Sequence, residues 1–149
     1  MGICHNTIQL KHHYRHPPER LFAAYLNPTT REIWSSPSDQ TAVDIVSTDV
    51  RSGGVEETRC GMKGDLKYRT QVRYHLVRPN KLISFSEVLF EADTILSVAL
   101  ITFQFHEIDG DQTELVLTDQ VTSYIGADGV EGHRQGLTAA LVNLQRFLD

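Results

Sequence analysis

From Asn6 to Tyr14 the chain alternates: Ile8, Leu10, His12 and Tyr14 share one face, and Thr7, Gln9, Lys11 and His13 the other. That is the period of a half-buried strand. Pro17-Pro18 stops it. Proline suits the first turn of a helix and an acid suits its positive end, so Pro18 to Leu26, with Glu19 near the start, reads as a short helix. Leu21, Phe22, Tyr25 and Leu26 form its apolar side. Asn27-Pro28 breaks it, and Thr29 to Ser35 reads as a second helical piece carrying Ile33 and Trp34.

From Thr41 the period is two. Thr41 to Val50 places Val43 and Ile45 on one face, and Arg51-Ser52-Gly53-Gly54 is a hairpin signal. Val55 to Met62 follows, then a turn at Lys63-Gly64-Asp65. Lys67 to Val77 aligns Val72, Tyr74 and Leu76, and Arg78-Pro79-Asn80-Lys81 turns the chain again. Leu82 to Phe90 aligns Ile83, Phe85 and Leu89; Ile95 to Ile108 aligns Ile101, Phe103 and Phe105. Asp109-Gly110-Asp111 is a further hairpin turn, and Thr113 to Val121 aligns Leu115, Leu117 and Val121.

The period then becomes helical. Between Gly129 and Leu148, Leu137, Leu141, Leu144 and Leu148 recur at spacings of four, three and four, widened by Ala140 and Phe147. Gly136 inside this helix costs about 1 kcal/mol relative to alanine, which reads as a point of close approach. The order is strand, two short helices, six strands joined by tight turns, one long helix. Successive hairpins predict an antiparallel sheet of about seven strands in an α+β fold, its apolar face covered by the terminal helix. A curved sheet gripping one helix leaves a space between them, and that space is the expected ligand site.

Composition narrows the class. The chain has 149 residues, 40% of them hydrophobic, which suits a single domain over residues 1–149. Nineteen acids against fourteen basic residues give a net charge of −5, which argues against a nucleic-acid-binding surface. No apolar run approaches the roughly 20 residues that span a bilayer, so no membrane insertion is expected. The segment Met1-Gly2-Ile3-Cys4-His5-Asn6 lacks a signal-peptide core, and Asn6 breaks the N-myristoylation pattern. Two cysteines, Cys4 and Cys60, are too few for a disulfide scaffold, and a cytoplasmic protein is the expectation. Nothing separates a monomer from a homodimer.

The order of elements and four local motifs resemble the SRPBCC superfamily, the START-related or birch-pollen-allergen-like helix-grip fold. Within it the chain is most similar to the heat-shock protein 90 ATPase activator homologue-like group. The motifs are His16-Pro17-Pro18-Glu19-Arg20-Leu21-Phe22-Ala23-Ala24 with Trp34 beyond it, Gly53-Gly54, Arg78-Pro79-Asn80-Lys81-Leu82, and His133-Arg134-Gln135-Gly136-Leu137 followed by Leu141 and Leu144. Leu137 stands where such proteins often carry tryptophan. The strand after Gly53-Gly54 reads Val55-Glu56-Glu57-Thr58 where aromatics are usual, so Glu56 and Thr58 are expected to face a more polar pocket. The resemblance implies a chaperone ATPase as one partner, and elsewhere in the superfamily cyclase or hydrolase activity; fold alone fixes neither.

Seven histidines invite a metal, but His12 and His13 point to opposite faces of a strand, His16 lies beyond it, and no Cys/His spacing fits zinc. No Gly-x-Ser-x-Gly occurs, Cys60 has no Cys-x-x-Cys partner, and Gly53-Gly54 is followed by a strand, not a phosphate-binding helix. The best chemical lead is acids at inward-facing strand positions. Glu87 is in phase with Phe85 and Leu89, Asp119 with Leu117 and Val121, and Glu56 joins them. The bland alternative is that each sits near a strand end or pairs with Arg59 or Arg73. The expected ligand-lining set is Trp34, Glu56, Thr58, Tyr74, Phe85, Glu87, Phe103, Phe105, Asp119, His133, Leu137 and Leu141, around a small hydrophobic or amphipathic molecule. No catalytic residue, cofactor or metal is implied, and the residues favour a binding protein over an enzyme.

Overall fold

The computed structural model describes residues 2–149; Met1, on which the N-terminal reading partly rests, lies outside them. The elements run β1 (Cys4–Tyr14), α1 (Pro18–Leu26), α2 (Pro28–Ser35), β2 (Thr41–Ser47), β3 (Val55–Met62), β4 (Asp65–Arg78), β5 (Leu82–Glu91), β6 (Thr94–Ile108), β7 (Gln112–Ser123) and α3 (Ala127–Leu148). The strands form one seven-stranded sheet in the order β1-β7-β6-β5-β4-β3-β2, and every neighbouring pair is antiparallel. The helix-grip architecture expected from the sequence is the architecture observed.

Local chemistry sets the helix boundaries. α1 begins with proline in its first turn and carries Glu19 there. α2 is capped by Asn27, whose Oδ1 accepts from the Thr29 and Thr30 amides at 2.9 and 3.4 Å. α3 follows Gly126, which sits at φ 82, a conformation that favours glycine. It rests on β1 and β7 and against α2. Tyr14 locks the helix down, its hydroxyl donating to the Leu141 carbonyl at 2.8 Å. Among the described residues no helix is long and apolar enough to cross a membrane.

Three local expectations need correction. β2 ends at Ser47, not Val50, because the chain leaves the sheet for the loop before β3. The register of β4 against β5 shifts between Tyr74 and Leu76, so Leu76 is exposed and Val77 takes its place opposite the buried Ile83. A bulge of this kind moves every later side chain by one position. Gly136 is not a point of close approach: a Cβ there would meet nothing within 4 Å. The tight glycine is Gly129, where a Cβ would collide with Ser123 at the end of β7. Gly136→Ala is therefore expected to stabilise the protein by about 0.5–1 kcal/mol. Gly129→Ala is expected to cost about 1–3 kcal/mol. Urea melts of the two variants should move in opposite directions.

Candidate functional site

The register sorts the inward-facing residues into rows across the concave face. One row reads Tyr74, Phe85, Ile101, Asp119, Ile8 from β4 to β1. The next reads Glu56, Val72, Glu87, Ala99, Val121 from β3 to β7, and a third reads Thr58, Thr70, Leu89, Ser97, Ser123. All three acids singled out in the sequence thus lie on the face that α3 covers, among residues too apolar to leave in water.

Glu56 is fully engaged. Arg31, from α2, grips it with two N–H···O contacts of 2.9 and 2.6 Å, both side chains being buried. Thr48 donates to Glu56 Oε1 at 2.5 Å and the Tyr74 hydroxyl donates to the same oxygen at 3.0 Å. Tyr25 donates in turn to Tyr74 at 3.0 Å, and the Arg31 guanidinium stacks 4.5 Å from the Tyr25 ring centroid. Burial pushes the Tyr25 and Tyr74 hydroxyls far above the usual phenol range, so both stay protonated donors. This closed network ties α2 to β3 and β4. The expectation that the acids pair with Arg59 or Arg73 fails for Glu56, because both arginines are on the exposed face of the sheet.

Asp119 and Glu87 form a different cluster. Asp119 is completely buried, and His133, from α3, donates from Nδ1 to its Oδ2 at 2.7 Å. In the neutral imidazole Nε2 accepts from the hydroxyl of buried Ser97 at 3.1 Å. Asp119 Oδ1 has no hydrogen-bond partner although it is buried. Burial lowers the affinity of His133 for a second proton, but Asp119 and Glu87 outweigh this and raise its pKa above the ordinary value.

Glu87 has no hydrogen bond or ion pair to any described residue, yet it sits at the centre of the concave face. Its neighbours Val72, Phe85 and Ala99 are buried, while Glu87 itself keeps part of its surface exposed. Burial, and then the charges of Asp119 and Glu56, push its pKa from 4.5 to about 7 against the pull of His133. An acid with a raised folded-state pKa binds its proton more tightly folded than unfolded. Its contribution to stability is therefore present below about pH 4.5 and is lost as the pH rises through about 7. Glu87→Gln is expected to raise the melting temperature at pH 8 and to change it little at pH 4; equal shifts at both pH values would contradict this placement.

The aromatic residues of the expected set pack among themselves. Tyr74, Phe85, Phe103 and Phe105 form a chain of ring contacts 5.4–6.4 Å between centroids, closed by Phe22 and Tyr25 from α1. Trp34 is buried beside Tyr25 and donates from its indole N–H to the Ala24 carbonyl at 3.1 Å. Thr58 hydrogen-bonds Thr70 across the strands at 2.5 Å. Leu141 is buried in the same core, and Leu137 packs half-buried at its edge. The end of the interior beneath α1 is thus filled, and the polar cluster lies towards the other end. A shallow groove of about 360 Å³ runs outside, between α2 and α3, lined by Ile33, Trp34, Pro37, Asn143 and Phe147 among others.

Two participants were missed, and each had a signal. Arg31 is three residues before Trp34, so a buried Trp34 turns Arg31 inward on the same helical face. Ser97 is in phase with Ile101, Phe103 and Phe105 on β6 and must face inward with them.

The sheet, its gripped helix and the polar cluster between them define a helix-grip protein. The family model for Activator of Hsp90 ATPase homolog 1-like protein matches residues 15–149, and the chain belongs to that family. Among solved structures, an uncharacterized protein from Rhizobium leguminosarum is 27% identical with a TM-score of 0.86, over 99% of this chain and 96% of that one. A protein from Rhizobium loti is 26% identical with a TM-score of 0.85, over 99% of both chains. One from Chromobacterium violaceum shares the fold at 20% identity, with a TM-score of 0.82 over 95% of each chain. None of the curated proteins matches the chain.

Proposed function

We propose that this protein binds a small hydrophobic or amphipathic molecule between the concave face of β3–β6 and α3. The observation that carries the reading is Glu87: an acid without a protein partner, held among buried apolar side chains, with surface still open. Such a group destabilises the empty fold at neutral pH, and a ligand is what would compensate it. Gly136 adds support. It lies on the flank of α3 that, two turns on, meets α2 through the Asn143 amide donating to the Ser36 carbonyl at 2.8 Å. Beyond the end of α2 that flank is open, with nothing within 4 Å of where a Cβ would stand.

The test is uptake of the neutral environment-sensitive dye Nile red. Fluorescence should rise on binding and fall when a medium-chain alcohol displaces the dye. Gly136→Phe, which fills the open flank, should reduce uptake several-fold while the protein stays folded. A wild-type protein that takes up no dye and releases none would defeat the reading.

The family match supports a second reading, a partner of a chaperone ATPase. Stimulation of ATP hydrolysis by purified Hsp90 would favour it, and no effect at saturating concentrations would dismiss it. We place the protein in the cytoplasm, a reading supported by Cys4 and Cys60, both free thiols.

A further inference from the structure

Resting on the ligand-binding reading above, we propose that the polar end of this site selects a cationic amphipath, an alkyl chain bearing a protonated amine, with Glu87 as its direct partner. The charges in place argue for a cation. Arg31, the buried arginine of the concave face, is committed to Glu56 by two short contacts. Arg59 and Arg73 are exposed on the far side of the sheet. His133 is the only cationic group facing the cluster among the described residues, and its Nδ1–H is held by Asp119.

The charge count follows from these partners. With Glu87 and Asp119 ionised, the cluster carries two negative charges and either none or one positive charge, according to His133. It is net negative both ways, and no further cation among the described residues completes it. A ligand ammonium would bring the missing charge and the donors that Glu87 lacks. Asp119 Oδ1, buried and without a partner, adds negative potential at the same end of the space. The apolar neighbours Val72, Leu89 and Ala99 supply contact for a chain rather than for a second charge.

Other head groups fit less well. A carboxylate would face Glu87 and Asp119 with like charge. An alcohol gains one ordinary hydrogen bond where an ammonium gains charge-assisted ones, roughly twice as strong. Protonation of Glu87 competes with the amine, and the groups that set this competition are Asp119, His133 and Glu56. Amine binding near pH 7 should therefore release a proton from Glu87.

The experiment displaces Nile red from the full chain with decylamine, 1-decanol and decanoate at pH 8. Decylamine should act at a concentration about 10-fold or more below that of 1-decanol, given the gain of a charge-assisted hydrogen bond. Decanoate should be the weakest. In Glu87→Gln the decanol-to-decylamine ratio should fall to about 2, the remaining preference coming from Asp119. Should that variant fail to fold, the wild-type protein at pH 5.5 reads the cluster as a whole: the amine advantage should shrink about 5-fold or more as Glu87 and His133 both take up protons. Displacement by decanol or decanoate at concentrations equal to or below those of decylamine overturns the amine proposal and leaves the ligand-binding reading standing. An amine advantage that persists undiminished in Glu87→Gln, or at pH 5.5, overturns Glu87 as the partner. If none of the three displaces the dye, or the dye is not taken up, both proposals fall together.

Discussion

Arg31→Ala is expected to cost about 3–5 kcal/mol of folding stability, the range for removing one partner of a buried ion pair. Arg31 and Glu56 are 6% exposed each, so the substitution strands an acid that Thr48 and Tyr74 can hydrogen-bond but not neutralise. It also removes the stacking on Tyr25 and the only ionic link from α2 to β3 among the described residues. The cost belongs to breaking the pair rather than to lacking it. Arg31→Met combined with Glu56→Leu should therefore recover most of the loss. Equilibrium urea unfolding of the single and double variants reads both numbers. A single variant that loses less than about 1 kcal/mol would mean the pair is solvated in solution.

Leu141→Ala is the second large effect, expected at about 2–5 kcal/mol from lost burial and the cavity left behind. Leu141 is 3% exposed and lies mid-stripe on α3, between Leu137 and Leu144. The Tyr14 hydrogen bond goes to its backbone carbonyl and survives the substitution. The loss therefore measures packing alone. Tyr14→Phe isolates the hydrogen bond, at about 0.5–1.5 kcal/mol. A loss below about 0.5 kcal/mol for Leu141→Ala, well outside its range, would show that α3 does not seal the core.

What was legible in the sequence follows from how locally each feature is encoded. The strands of the meander show as alternation between turn signals, because a sheet with one buried face imposes a period of two and its hairpins need particular turn residues. α1 and α3 show as stripes. The inward direction of Glu87, Asp119 and Glu56 could be read from phase alone. The partner of Glu56 could not, because Arg31 is brought to it by the packing of α2 and not by any strand neighbour. Phase also failed past the bulge in β4, where Leu76 and Val77 exchange places without any proline or glycine to mark the shift. Gly136 and Gly129 look alike in a helical pattern; only the position of Ser123 at the end of β7 tells them apart. The histidine that completes the acid cluster stands on the same stripe as Leu137 and Leu141, but the stripe does not say which strand it will meet.

The first strand closes the sheet against the last one, His5 meeting Thr122 across 117 residues of chain, and the covering helix is made only after all seven strands. On the ribosome, β2 to β6 can zip together hairpin by hairpin as they emerge, but α1 covers only the Phe103 and Phe105 end of the face, and the rest, around Ser97 and Ala99, has no cover until α3 leaves the tunnel. At about 5–20 residues per second, the nascent sheet shows that face to its surroundings for a few seconds in every round of synthesis. A chain cut short before Ala127 would never hide it, so premature termination should yield an insoluble product rather than a smaller folded one.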